Sequence, residues 1–257
     1  MKLKKLSALL LAFVLVLSLL PAGALAAGGM GTEVTVTVEI SNPSNYNLKA
    51  GAPFEGAFDL NGDTAGTAAA VTLPYYGWYP HRDAAVEFFL GIADRSPLPV
   101  IVYNLPRVSG MSLDHALVRQ FYDHPALVGI KDTRGDADDM AALAADPERR
   151  GRLTYLPGNS ALAARLFAAG ADGLVSVLSN FMPELLVALY RAHRAGDPER
   201  RDACGRVVAD LGAVLTCPTT AGGVKCALEL LVIGHRRTVR PWPQARAEDE
   251  AKVRDLL

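Results

Sequence analysis

Leu127-Val128-Gly129-Ile130-Lys131-Asp132-Thr133 is a short apolar run closed by an amine, a carboxylate and a hydroxyl. Four apolar or small residues are too few for a helix, and bounded by polar residues they predict a buried strand with Lys131 at its C-terminal end. Runs of the same kind recur on both sides, at 69–73, 99–103, 153–156 and 173–177. Between them, residues 83–93, 112–122, 137–145, 160–169 and 183–194 carry apolar positions at helical spacing. Ser112 is placed to cap the second of these helices, and Asp136, Asp138 and Asp139 crowd the start of the third, where the helix dipole favours carboxylates. Strands alternating with helices predict βα units around a parallel sheet. Three further helices are expected at 198–215, 220–233 and 243–257.

Composition narrows the function classes. Half of the 257 residues are hydrophobic and 21% are charged, which describes a globular chain. The formal net charge of -1 removes the main electrostatic reason to expect nucleic-acid binding. Cys204, Cys217 and Cys226 form no C-x-x-C pair and are odd in number, and no two histidines are spaced as H-x-x-x-H. Neither a zinc site nor a disulfide framework is therefore expected.

The front of the chain reads differently. Lys2, Lys4 and Lys5 precede an uncharged apolar run at 6–20, followed by Pro21 and the small residues of Ala24-Leu25-Ala26. That layout predicts a signal peptide over 1–26 and hence a secreted or periplasmic protein. The run is short for a spanning helix, which needs roughly 20 apolar residues. Residues 27–64 form a second compositional zone. Val34, Val36, Val38 and Ile40 alternate with polar residues as in a strand, and Asn- and Gly-rich turns follow. All 19 arginines lie at Arg82 or later. The change in composition predicts a boundary near residue 65, with the βα units over 65–257. If the front were a fusion, the localisation would revert to the cytoplasm.

In parallel βα architectures, residues just past the C-terminal strand ends converge on a ligand. Lys131 is the one lysine that closes an apolar strand here. A desolvated amine has a lowered pKa and attacks carbonyls to form an imine; a salt bridge to Asp132, or simple solvation, is the alternative for Lys131. Tyr103 ends the preceding strand and is placed to exchange protons beside such an imine, or else to plug the rim as a packed aromatic. Tyr75, Tyr76, Trp78 and Tyr79 form an aromatic cluster suited to an oligomer contact or to a carbohydrate face.

Taken together, Thr72-Leu73-Pro74-Tyr75-Tyr76, Tyr103-Asn104-Leu105-Pro106, Gly129-Ile130-Lys131-Asp132-Thr133 and Gly173-Leu174-Val175-Ser176-Val177 with Asn180 and Pro183 resemble the dihydrodipicolinate synthase and N-acetylneuraminate lyase family. The resemblance spans about residues 65–257. It implies an α/β fold, part of a (β/α)8 TIM barrel with extra C-terminal helices, and a class I aldolase acting on pyruvate or another 2-oxo acid together with an aldehyde. On that resemblance, Lys131 is the Schiff-base lysine, Tyr103 the proton-transferring tyrosine and Tyr76 a relay tyrosine lent across a subunit interface. Val175 and Gly173 would line the pyruvate pocket, with Arg107 and Asn180 as further substrate contacts. The same resemblance implies no metal or cofactor and a homo-oligomer.

Two departures from the family pattern qualify this. The synthase branch carries an arginine where Val108 stands, with Arg107 one position early, which favours a sugar-acid-type or other 2-oxo acid over dihydrodipicolinate synthesis. No Gly-Thr-Thr-Gly-Glu-like motif, the family's grip on the pyruvate carboxylate, occurs before Thr72. Only about five barrel strands are expected, which predicts an N-terminally incomplete barrel. The competing functions are an inactive truncated or fused fragment and a secreted carbohydrate-binding module built on residues 75–79.

Overall fold

The apolar runs become strands where their side chains can be buried on both faces. The computed structural model of the protein describes residues 68–73, 81–96 and 98–257. Among them, β1 (Ala69–Thr72), β2 (Val100–Asn104), β3 (Leu127–Asp132) and β4 (Thr154–Pro157) form one sheet in the order β1-β2-β3-β4, every pair parallel. Nine α-helices accompany them: α1 (Asp83–Ala93), α2 (Pro106–Ser109), α3 (His115–Val118), α4 (Ala137–Ala145), α5 (Ala163–Ala169), α6 (Pro183–Arg194), α7 (Pro198–Leu211), α8 (Thr220–Leu230) and α9 (Ala247–Leu256). The α/β class with a parallel sheet, expected from the alternation of runs, is what the chain adopts.

Register divides the sheet into two faces, because paired residues on neighbouring strands point the same way. Val71, Val100, Val102, Ile130 and Tyr155 face the helices. They pack there with Phe89 of α1, Phe121, Met140 of α4 and Phe167 of α5 in one core. Phe89 and Phe121 meet edge to face, their ring centroids 5.8 Å apart. Each side chain of this size contributes about 1.5–3 kcal/mol when fully buried. The opposite face carries Thr72, Ile101, Tyr103, Gly129, Lys131, Thr154 and Leu156.

Several sequence expectations are corrected. The run at 173–177 is not a strand. It follows β4 through two bonds only, from Asp172 N to Tyr155 O (3.0 Å) and from Val175 N to Pro157 O (3.0 Å). The Asp172 carboxylate accepts Tyr155 N at 2.7 Å, taking the place a strand carbonyl would fill, so no regular ladder forms. Ser112 is not a cap either. Asn104 binds the main chain of Leu113 on both sides, and the helix begins only at His115 with Asp114 as its cap. Asp136 does cap α4, accepting Asp139 N. The 198–215, 220–233 and 243–257 helices end or start inside those limits, at Leu211, Leu230 and Ala247. Residues 1–26 and 27–64, the aromatic cluster at 75–79 and the proposed relay Tyr76 lie outside the described residues.

Candidate functional site

A register shift brings the two leading candidates side by side. Val100 pairs with Leu127, but Ile101 pairs with Gly129, so Val128 is an extra residue in β3. Such bulges re-aim side chains relative to the neighbouring strand. Without the extra residue Tyr103 would face Ile130; with it, Tyr103 pairs with Lys131. The row across the sheet is then Thr72, Tyr103, Lys131 and Leu156.

Lys131 is half-buried, and its Nζ lies 3.9 Å from the centroid of the Tyr103 ring. Burial pulls its pKa down from the ordinary lysine value to about 8. At pH 7 that leaves roughly one amine in ten unprotonated, against about one in three thousand for an ordinary lysine. The π face of Tyr103 attracts the ammonium and works against this, while burial raises the Tyr103 phenol. The Thr72 hydroxyl oxygen, next in the row, is buried and has no hydrogen-bond partner among the described residues.

Gly158, just past β4, makes room for the lysine. A Cβ there would lie 2.4 Å from Thr133 Cγ2 and 3.5 Å from Lys131 Cε. Its own N–H donates to Asp132 O at 2.7 Å, which ties the β4 exit to the end of β3.

The salt bridge from Lys131 to Asp132 expected as an alternative does not occur. Asp132 points to the helix-side face and is fully buried. Arg134 Nε donates to both its oxygens at 3.0 Å and Arg134 Nη2 to Oδ2 at 2.7 Å. Asn104 Nδ2 and the Tyr155 hydroxyl donate to it as well, at 3.1 and 3.2 Å. Burial acts to lower the Arg134 pKa, but the bonds and charges of Asp132 and Asp139 outweigh it and raise it. Tyr155 is raised by burial and by Asp132.

The remaining candidates are dispersed. Gly173 is buried and Val175 half-buried on the segment beside β4, where the Val175 N–H is spent on Pro157 O. The half-buried Asn180 turns its amide onto Val177 O at 2.7 Å. Arg107 and Val108 are exposed on α2. Sequence reasoning missed Arg134, Tyr155 and Gly158 as site-forming residues and used Asn104 and Asp132 only as parts of motifs. Their available signal was position, at or just past the ends of consecutive strands. Among the described residues, no group of three or more His, Cys, Asp or Glu side chains is arranged to hold a metal ion.

Parallel βα units with a half-buried amine at the C-terminal end of a central strand define an α/β protein with its candidate residues at the strand ends. The profile of the dihydrodipicolinate synthetase family matches residues 59–257, and the chain belongs to that family. A 4-hydroxy-tetrahydrodipicolinate synthase from Hyphomonas neptunium is 35% identical over 189 residues, 72% of this chain and 63% of the relative. One from Methanoculleus marisnigri is 30% identical over 194 residues, 76% and 65% respectively. The dihydrodipicolinate synthase structure from Thermotoga maritima superposes with a TM-score of 0.68 at 26% identity, covering 73% of this chain and 64% of that one. The chloride-inhibited, pyruvate-bound enzyme from Acinetobacter baumannii gives 0.67 at 26%, covering 74% and 64%. The chain thus spans less than two thirds of the length of the relatives it matches. The family's members are lyases of the aldolase type.

Proposed function

We propose that this chain carries the amine centre of a class I aldolase, with Lys131 as the residue that condenses with pyruvate or another 2-oxo acid. The carrying observation is the half-buried Lys131 amine, its pKa lowered to about 8, over the Tyr103 ring. The unprotonated nitrogen adds to the keto carbon, and the carbinolamine loses water to give an iminium ion. That cation draws electrons from the adjacent carbon, so cleavage of a C–C bond releases an aldehyde and leaves an enamine. Protonation of the enamine carbon and addition of water then free the 2-oxo acid and the amine. Tyr103 is the proton carrier in this scheme, with Tyr76 as its relay partner. The segment with Gly173 and Val175 walls the pocket.

The four strands and the segment beside β4 are read as the last five strands of a (β/α)8 barrel. The parallel order, the likeness to the Thermotoga and Acinetobacter enzymes and their partial coverage support this reading. Turnover then depends on further strands closing the barrel beyond β1, contributed by this chain or by a partner in a homo-oligomer. Val108 at an exposed position of α2 favours a sugar-acid-type or other 2-oxo acid over the synthase substrate pair.

Exchange of the methyl protons of pyruvate in deuterated water, followed by proton NMR, tests enamine formation without requiring the aldehyde. The protein is expected to accelerate exchange and Lys131→Ala to abolish the acceleration. Tyr103→Phe is expected to slow it about a hundredfold. Exchange by Lys131→Ala at the unsubstituted rate would refute the assignment.

A further inference from the structure

Lys131 and Asp132 are consecutive and point to opposite faces of β3, so a fully buried carboxylate lies on the other side of the sheet from the amine. An ionised carboxylate near an amine favours the ammonium and returns a lysine toward ordinary basicity. Burial is the cause of the lowered pKa at Lys131. Arg134 covers that carboxylate. Its guanidinium, 4% exposed, closes on both oxygens of Asp132 and also reaches Asp139 at the start of α4. The other titratable groups around the strand end are Tyr103 from β2 on the amine face and Tyr155 from β4 on the rear face. Asp139 is more exposed, and His115 N also donates to it.

We propose that Arg134 is a positioning residue of the amine centre, neutralising Asp132 from the rear face of the sheet so that Lys131 stays reactive near neutral pH. This rests on the reading of Lys131 as the Schiff-base lysine. Loss of the guanidinium removes a nearby positive charge and unmasks a negative one. Asn104 and Tyr155 still donate to Asp132. Both changes favour the ammonium.

Competitive acetylation of the full-length chain with acetic anhydride across pH 6–11, followed by peptide mapping, gives the titration midpoint of Lys131 without any 2-oxo acid. Arg134→Gln is expected to raise that midpoint by about one pH unit or more. Asp132→Asn leaves the guanidinium with Asp139 alone as its carboxylate partner and is expected to lower it, while Arg134→Lys keeps the unsubstituted value. Circular dichroism establishes which variants fold; if Arg134→Gln does not, the downward shift in Asp132→Asn decides. An unmoved midpoint in folded Arg134→Gln, or in folded Asp132→Asn, overturns the proposal. Failure of pyruvate to form an adduct in the unsubstituted chain would instead refute the Schiff-base reading, and the acetylation midpoints would still report on Arg134.

Discussion

Lys131 sits in conflict with its surroundings, an ammonium drawn out of water against the aromatic face of Tyr103. The folded-state pKa lies at about 8, below the ordinary lysine value of about 10.5. The unfolded chain therefore binds more protons between those two values, and stability rises with pH across that window. Below pH 8 the folded state carries the full cost of the buried charge, about 3 kcal/mol at most from the size of the shift. Lys131→Met keeps the apolar stem and removes the charge. Urea unfolding at pH 6.5 should show it more stable than the unsubstituted protein by about 1–3 kcal/mol, the gap closing as the pH approaches 10. A less stable Lys131→Met would mean that the lysine is well solvated. Lys131 and Tyr103 were legible in the sequence because each closes an apolar strand. Arg134 was not legible, since its role depends on Asp132, Asp139 and the turn between β3 and α4 meeting in space.

Elements meet at this site through backbone as much as through side chains. Asn104 binds Leu113 at both N–H and carbonyl and also donates to Asp132, linking the β2 exit, the start of α3 and β3. The same pair of bonds holds Leu113 out of the helix, which is why helical spacing from Ser112 onward misplaced its start. Gly158 joins β4 to β3 in a space with no room for a methyl group. Gly158→Ala should force Thr133 and Lys131 aside, costing about 1–3 kcal/mol as overpacking does, and it should slow acetylation or imine formation at Lys131 more than at Lys252. Unchanged stability and reactivity would show that the strand exits adjust freely. The run at 173–177 fails to form a strand for a related reason. Its apolar spacing suits a strand, but the Asp172 side chain occupies the bond that would continue the ladder.

At the scale of the molecule, alternation of short apolar runs and helical stretches was enough to place the parallel order of β1 to β4, because each strand buries its helix-facing side in one continuous core. The bulge at Val128 was not visible in the sequence, since a one-residue shift leaves the apolar pattern of β3 intact while turning its last residues relative to β2. That shift sets the amine beside the phenol. Arg107 and Asn180, carried over from motif position, depend on how loops beyond the strand ends fold, which strand periodicity does not encode.

The most direct measurement is reduction of the full-length chain with sodium borohydride in the presence of pyruvate, read by intact mass and peptide mapping. The account predicts a single pyruvate-derived adduct on the peptide containing Lys131, lost in Lys131→Arg and retained in Tyr103→Phe. An unmodified chain, or adducts spread evenly over Lys131, Lys225 and Lys252, would contradict it.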